Sequence, residues 1–369
     1  MVTVGDIAGH IETLAPPALA QDWDKIGLQV GRADALVQRV LVCLDVDDEL
    51  VDEAVEAGCQ LIVSHHPLFF NEVTGVTGAT AAGRTALKAI ENRIAVYVAH
   101  TNLDKAPDGI NDALADALGL IGKQALETTE RLLKLVVFVP GRALAEVKSA
   151  LGNAGAGIIG LYSHCGFASP GTGSFRPLPG AEPSEGQVGM DNEVQEYRLE
   201  VEVDRVALPA VVQAMKAAHP YEEVAYDLYE LQNVTGRYGL GVIGGLKKPL
   251  ALPDFIDLCR DRISPQLRIA GLARTVERVA VCGGSGASLI EAAGAAGADV
   301  FVTGDVRYHD AQRAIASGLV VIDAGHDATE LPGVAGLARR LARDISIEVN
   351  EARLRGPIWR GTHDTDSAS

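Results

Sequence analysis

No two of the five cysteines in this 369-residue chain (Cys43, Cys59, Cys165, Cys259, Cys282) are spaced C-x-x-C, and their number is odd. Neither a disulfide framework nor a zinc knuckle follows, and a reducing compartment fits. Nowhere do eighteen apolar residues run uninterrupted, so no membrane-spanning helix is expected. The first residues, "MVTVGDIAGHIETLAPPALAQDWD", carry acids early and lack the basic-then-apolar order of an export signal. A soluble, cytoplasmic protein is expected. Basic residues are the scarcer charge, with 32 Lys and Arg against 49 Asp and Glu, a net −17 that no basic cluster interrupts. Such a chain repels a phosphate backbone, so we expect no nucleic-acid and no membrane partner. An acidic chain can still gather cations. Apolar residues make up 47% of the chain, enough for two or three cores of ordinary size.

Beta-branched runs alternate with alanine-rich stretches: "RVLVCLDV", "DELVDEAVEAG", "CQLIVSHH", and later "RVAVCGGS", "ASLIEAAGAAG", "ADVFVTGD". This alternation predicts α/β architecture, with parallel strands joined by crossover helices. Val37–Ser64 aligned with Val276–Thr303 shares ten identities in twenty-eight positions, which points to an internal duplication. It continues as "IAVYVAHTNLD" against "LVVIDAGHDATE", setting His100-x-x-x-Asp104 opposite His326-x-x-x-Glu330. Between the copies the texture changes. Two strand-helix-strand units around the loop "SPGTGSFRPLPGAEPSEG" predict an inserted ferredoxin-like α+β domain. The expected division is residues 1–127, first half of an α/β metal-binding core; 128–231, the insert; and 232–369, the second half with a polar, disordered tail.

"LIVSHHPLFF" sets His65 and His66 side by side at the end of an apolar run. Successive strand residues point to opposite faces, so the two imidazoles should serve neighbouring sites. Pro67 keeps His66 extended, and ligands gather at the carboxyl ends of parallel strands. Two hydrogen-bonded strand-end histidines fit the same residues. Asp104 adds a hard oxygen donor beside imidazoles, a mixture suited to Zn, Fe or Mn, although it also fits a helix or turn cap. His326 and Glu330 share a helical face at a spacing of four. "VTGDVRYHDA" brings Asp305 and His309 to the matching strand end, where His309 is a candidate proton carrier or a surface histidine. "CGGSGAS" is similar to a phosphate-cradling turn but lacks the P-loop lysine. Together His65, His66, Asp104, His326 and Glu330 are enough to hold two divalent ions that share Glu330 and a water.

These residues resemble the type 2 GTP cyclohydrolase I homologues, the NGG-interacting-factor-like dinuclear-metal proteins. "WDKIGLQVG", "SHHPLFF", "AHTNLD", "TGDVRYHDA" and "GHDATE" carry the resemblance, in order and in both halves. It implies that His65 and Asp104 hold one metal, His66 and His326 the other, and that Glu330 touches both. It also implies a toroidal homohexamer, a PII- or cation-tolerance-like insert, and hydrolytic opening of the guanine imidazole ring of GTP, with formate leaving. His309 and His100 are then the candidates for proton transfer. Lys25 stands where many members have Asn. The same ligand set serves an alternative reading, a metal-binding protein for storage, delivery or regulation without turnover.

Overall fold

The computed structural model describes residues 1–128, 131–234 and 236–353. The chain divides into two compact units, Met1–Thr128 with Gly236–Ser369, and Thr129–Thr235. The first unit opens with α1 (Val4–Leu14), β1 (Gly27–Val30), β2 (Arg39–Cys43), α2 (Asp48–Glu56), β3 (Leu61–Ser64), α3 (Ala81–Glu91), β4 (Ala95–Val98), α4 (Thr101–Lys105), α5 (Ile110–Ala117) and β5 (Ile121–Thr128). The second unit contains β6 (Arg131–Pro140), α6 (Leu144–Asn153), β7 (Phe167–Phe175), β8 (Asn192–Asp204), α7 (Leu208–Ala218) and β9 (Tyr226–Val234). Back in the first unit follow β10 (Gly239–Ala251), α8 (Leu252–Arg262), β11 (Arg268–Ala270), β12 (Thr275–Ser285), α9 (Ile290–Ala295), β13 (Val300–Gly304), α10 (Tyr308–Ala316), β14 (Val320–Asp323), α11 (His326–Asp344) and β15 (Glu348–Glu351).

The first unit is built on two sheets, ordered β1-β4-β3-β2-β15 and β11-β14-β13-β12-β10-β5. In one, β2, β3 and β4 run parallel and β1 closes antiparallel on β4. In the other, β12, β13 and β14 run parallel and β11 closes antiparallel on β14. The order and directions therefore repeat. The apolar runs explain why: β3, β4 and β13 are buried at every position, as strands covered on both faces must be. Between parallel strands the chain must cross over, and it does so through capped helices, with Asp47 as N-cap of α2 and Thr80 as N-cap of α3. After α2 and α9 the chain turns at Gly58 (φ 66°) and Gly297 (φ 75°), left-handed positions that favour glycine. This is the Ala-Gly helix end that the two aligned stretches share.

The second unit runs βαββαβ, with antiparallel sheet order β7-β8-β6-β9. That is the ferredoxin-like arrangement. Its core lies on one sheet face, where Leu135, Val137, Leu199 and Val201 meet Val147 and Leu151 of α6 and Val211 and Met215 of α7. Among the described residues no helix is long and apolar enough to cross a membrane.

Candidate metal centre

The site lies in the first unit, where several parallel strands end. Beyond β3, His65 and His66 still donate their backbone N–H groups to Cys43 and Leu44, at 3.1 and 2.9 Å. His100 follows β4 and caps α4, which carries Asp104. His326 opens α11 just after β14, and Glu330 follows one turn later on the same helix. Ligand-type residues thus gather at the carboxyl ends of both sheets, as in open α/β folds generally.

Every imidazole is fixed through Nδ1. Nδ1 of His65 donates to the Ala99 carbonyl at 2.9 Å. His66, His100 and His326 donate from Nδ1 to Asp45, Asp24 and Asp305, at 2.8, 2.8 and 2.7 Å. A carboxylate or carbonyl oxygen can only accept, so Nδ1 carries the proton and the neutral ring keeps its lone pair on Nε2. Such partners orient metal-binding histidines and raise their basicity.

The Nε2 atoms then converge. Nε2 of His65 lies 3.6 Å from Glu330 Oε1 and 3.5 Å from Asp104 Oδ1. Nε2 of His66 and of His326 lie 3.0 and 3.3 Å from Glu330 Oε2, and 3.3 Å from each other. His65 and His66 therefore address different oxygens of one carboxylate. Their rings do not point to opposite faces; they sit 5.2 Å apart with planes inclined by 40°. Strand alternation has lapsed there, because β3 ends at Ser64.

The approaches to Glu330 are not hydrogen bonds. Among the described residues, His65 Nε2 and Glu330 Oε2 are buried and have no hydrogen-bond partner, although His66 Nε2 lies 3.0 Å from that oxygen. A buried polar atom left unpaired costs about 1–3 kcal/mol, so atoms aimed past one another at a common point want a cation between them. Two sets of three ligand atoms lie within 4.8 Å of one another: His65, His66 and His100, and His66, His326 and Glu330. Asp104 joins through His65. Imidazoles and carboxylates in this proportion fit a divalent transition ion, and the cluster could hold one.

The protonation equilibria reflect the same crowding. Burial lowers His65 and His66, but the carboxylates outweigh it: Asp104 and Glu330 raise His65, and Asp45 and Glu330 push His66 up to about 10. His326 rises to about 9, chiefly through Glu330. Burial also pushes Asp104 up, with His65 opposing it. Glu330 is held well below the usual carboxylate range by three imidazoles, against the upward pull of burial.

Glycines make the room. At Gly284 (φ 62°) a Cβ would overlap Glu330 Oε1, and at Gly304 it would stand 2.7 Å from the His326 nitrogen. The Gly284 N–H donates to Thr329 on α11 at 2.9 Å, and the Gly283 N–H to Asn111 on α5 at 2.8 Å. The run "CGGSG" is thus spent on close approach to the carboxylate cluster, and no phosphate needs to be invoked for it.

The five ligand candidates from sequence, His65, His66, Asp104, His326 and Glu330, come together, and His100 stands beside them with its ring 5.2 Å from that of His65. His309 is placed differently. It is exposed on α10 and contacts Gln312 and Tyr308, and among the described residues no hydrogen bond or ring contact joins it to the cluster. No local pattern in the sequence marks Asp24 and Asp45 as orienting acids, and Asp305 stands out there only for its place at a strand end. Lys25 lies next to Asp24 and donates its backbone N–H to that carboxylate at 2.8 Å.

The family model Duf34/NIF3 (NGG1p interacting factor 3) matches residues 2–355. Relatives named "GTP cyclohydrolase 1 type 2 homolog" include one from Bacillus subtilis, 43% identical over 92% of each chain. Another, from Mycobacterium tuberculosis, is 38% identical over 99% of this chain and 98% of its own. Among solved structures, a Bacillus cereus protein related to NIF3 superposes with a TM-score of 0.83 at 40% identity, covering 98% of this chain and 99% of its own. A Staphylococcus aureus protein follows with a TM-score of 0.76 at 30% identity and the same coverage.

Proposed function

Because the chain belongs to the Duf34/NIF3 family, we propose that its convergent imidazoles and carboxylates hold two divalent ions and that it is a metal-dependent hydrolase acting on the guanine ring of a nucleotide such as GTP. The observation that carries this reading is the pair of buried, unpartnered atoms, His65 Nε2 and Glu330 Oε2, aimed into one space. His65, Asp104 and Glu330 Oε1 would take one ion, and His66, His326 and Glu330 Oε2 the other. Ions bound there, of the Zn, Fe or Mn class, supply water activation and stabilise developing negative charge.

The remaining work falls to the protein. His100 presents Nε2 toward the centre while Asp24 grips its Nδ1, an arrangement suited to carrying one proton in and out. Burial would raise Asp24, but bonds from His100 and from the Thr101 hydroxyl and N–H hold it at about 2, so it stays anionic at any working pH. Trp23 and Phe70 are 60% and 53% exposed, and both rings lie within about 6 Å of His100, at 6.1 and 5.9 Å. Exposed aromatic faces beside a proton carrier suit a planar heterocycle. That favours turnover over storage. A homohexamer belongs to the same proposal and is checked by light scattering.

The test is anaerobic loading, elemental analysis, and then a nucleotide panel read by mass spectrometry. We expect about two ions per chain and a ring-opened purine product. Bound metal with no product from any nucleotide would leave the storage or delivery reading. Asp24→Asn, which keeps shape and loses charge, should retain metal and slow turnover by about 10²–10⁴-fold. Unchanged turnover would remove His100 from the mechanism.

A further inference from the structure

The helices of the inserted unit cover one face of its sheet; the other face holds a cavity of about 630 Å³. Small-molecule sites fall in this size range. The register places Phe138 opposite Arg198, Ser169 opposite the same arginine, and Gly171 opposite Glu196, all on the helix-free face. The chain between β7 and β8 folds back over them as a roof. It is pinned on one side by Arg142, which donates to Ser184 Oγ at 2.7 Å and pairs with Glu185. On the other side, the Glu182 N–H donates to the Glu222 carboxylate at 3.0 Å. Glycine supplies the depth: a Cβ at Gly173 would overlap the carboxylate of Glu196, which lies across β7 and accepts a hydrogen bond from the Tyr221 hydroxyl at 2.9 Å.

The charge lining this cavity is one-sided. Arg176 and Arg198 are already engaged, by Asp191 and Glu200, each at 2.7 Å and each from outside the cavity lining. Arg142 compensates Glu185. Glu196, Glu222 and Glu223 also line the cavity, and none has an ion-pair partner among the described residues. The body of the cavity is apolar, with Phe138 and Phe175 on its walls.

We propose that this cavity is a second ligand site, separate from the metal centre, that binds a small organic cation: an amine or guanidine whose charged end meets Glu196 and whose apolar body packs on Phe138 and Phe175. The carboxylate accepts a charge-assisted hydrogen bond from such a group, and an aromatic wall attracts a cation besides burying apolar surface. An anion would face the uncompensated acids. A neutral analogue would leave the Glu196 end unmatched.

The test is calorimetric titration of the full-length protein at low salt with phenethylamine and agmatine, against phenethyl alcohol and phenylacetate as neutral and anionic controls. We expect the cations to bind and the controls to bind at least about tenfold more weakly, the loss of one charged hydrogen bond. Glu196→Gln should lower the affinity for the cations by about tenfold or more. Gly171→Leu is the steric test: Gly171 lines the cavity and a Cβ there meets nothing within 4 Å, so the larger side chain should take up ligand space and abolish binding. Both variants should keep their metal content and melting temperature. Equal binding of the controls, no binding of either cation at millimolar concentration, or unaltered affinity in Gly171→Leu would each overturn the proposal.

Discussion

At the scale of single residues, the centre is defined by which oxygen of Glu330 each imidazole faces. His65 faces Oε1 and His66 faces Oε2, so in the proposed two-ion centre removing either imidazole should cost chiefly one ion, and a different ion in each case. Glu330→Ala should empty both proposed positions, because one of its oxygens faces His65 and the other His66. Anomalous scattering and metal content of the three variants check this together. If His65→Ala and His66→Ala empty the same position, the two-oxygen assignment is wrong. The candidate ligands are legible because His65 and His66 directly follow the apolar run of β3, and because the His-x-x-x-acid spacing recurs in both halves. Their orienting acids are not. Asp24 meets His100 across 76 positions of sequence, and Asp45 and Asp305 each meet their histidine across 21, at distances no local pattern encodes. Asp24 also lies in the irregular stretch before β1, where periodicity carries no information.

At the scale of elements, the repeated sheet order shows why one strand pattern can carry unlike jobs. The alignment that pairs Val37 with Val276 places Asp45 opposite Gly284 and His66 opposite Asp305. One copy thus offers a carboxylate where the other needs emptiness, and an imidazole where the other offers the acid that orients His326. The alternation of strands and helices was readable from periodicity. The glycines at the end of β12 look phosphate-like because sequence shows small residues without showing what fills their space. Gly284→Ala tests that space. Its Cβ would both strain a left-handed position and displace Glu330, so a folded protein that has lost metal is expected. Gly297→Ala is the control: it is left-handed too, but a Cβ there meets nothing, so it should cost about 1 kcal/mol of stability and keep full metal content. Thermal melts and elemental analysis separate the two outcomes. Full metal in Gly284→Ala would refute the close-approach account.

At the scale of the whole molecule, the insertion point is itself informative. β5 and β10 pair antiparallel, with Thr128 opposite Gly239, so the chain leaves and re-enters the first unit at adjacent positions of one hairpin. The second unit occupies the place of a turn. Texture change in the sequence marked the insert, but not this pairing, since β5 and β10 are separated by the whole insert and nothing local links them. Deleting residues 129–235 would join Thr128 to Gly236 and leave Gly236, Arg237 and Tyr238 between the paired strands, a loop length that antiparallel hairpins commonly use. None of the candidate ligands and none of their orienting acids lies in the deleted segment. The shortened chain should therefore melt cooperatively, bind about two divalent ions as the proposed centre requires, and retain whatever ring-opening activity the full chain has. It should also lose all binding of phenethylamine and agmatine, because the cavity proposed for them goes with the insert. Calorimetry, elemental analysis and mass spectrometry on the one deletion protein read all four outcomes. A soluble product that melts cooperatively but binds no metal would mean that the insert supports the centre, and the view of the first unit as a self-sufficient metal core would have to be abandoned.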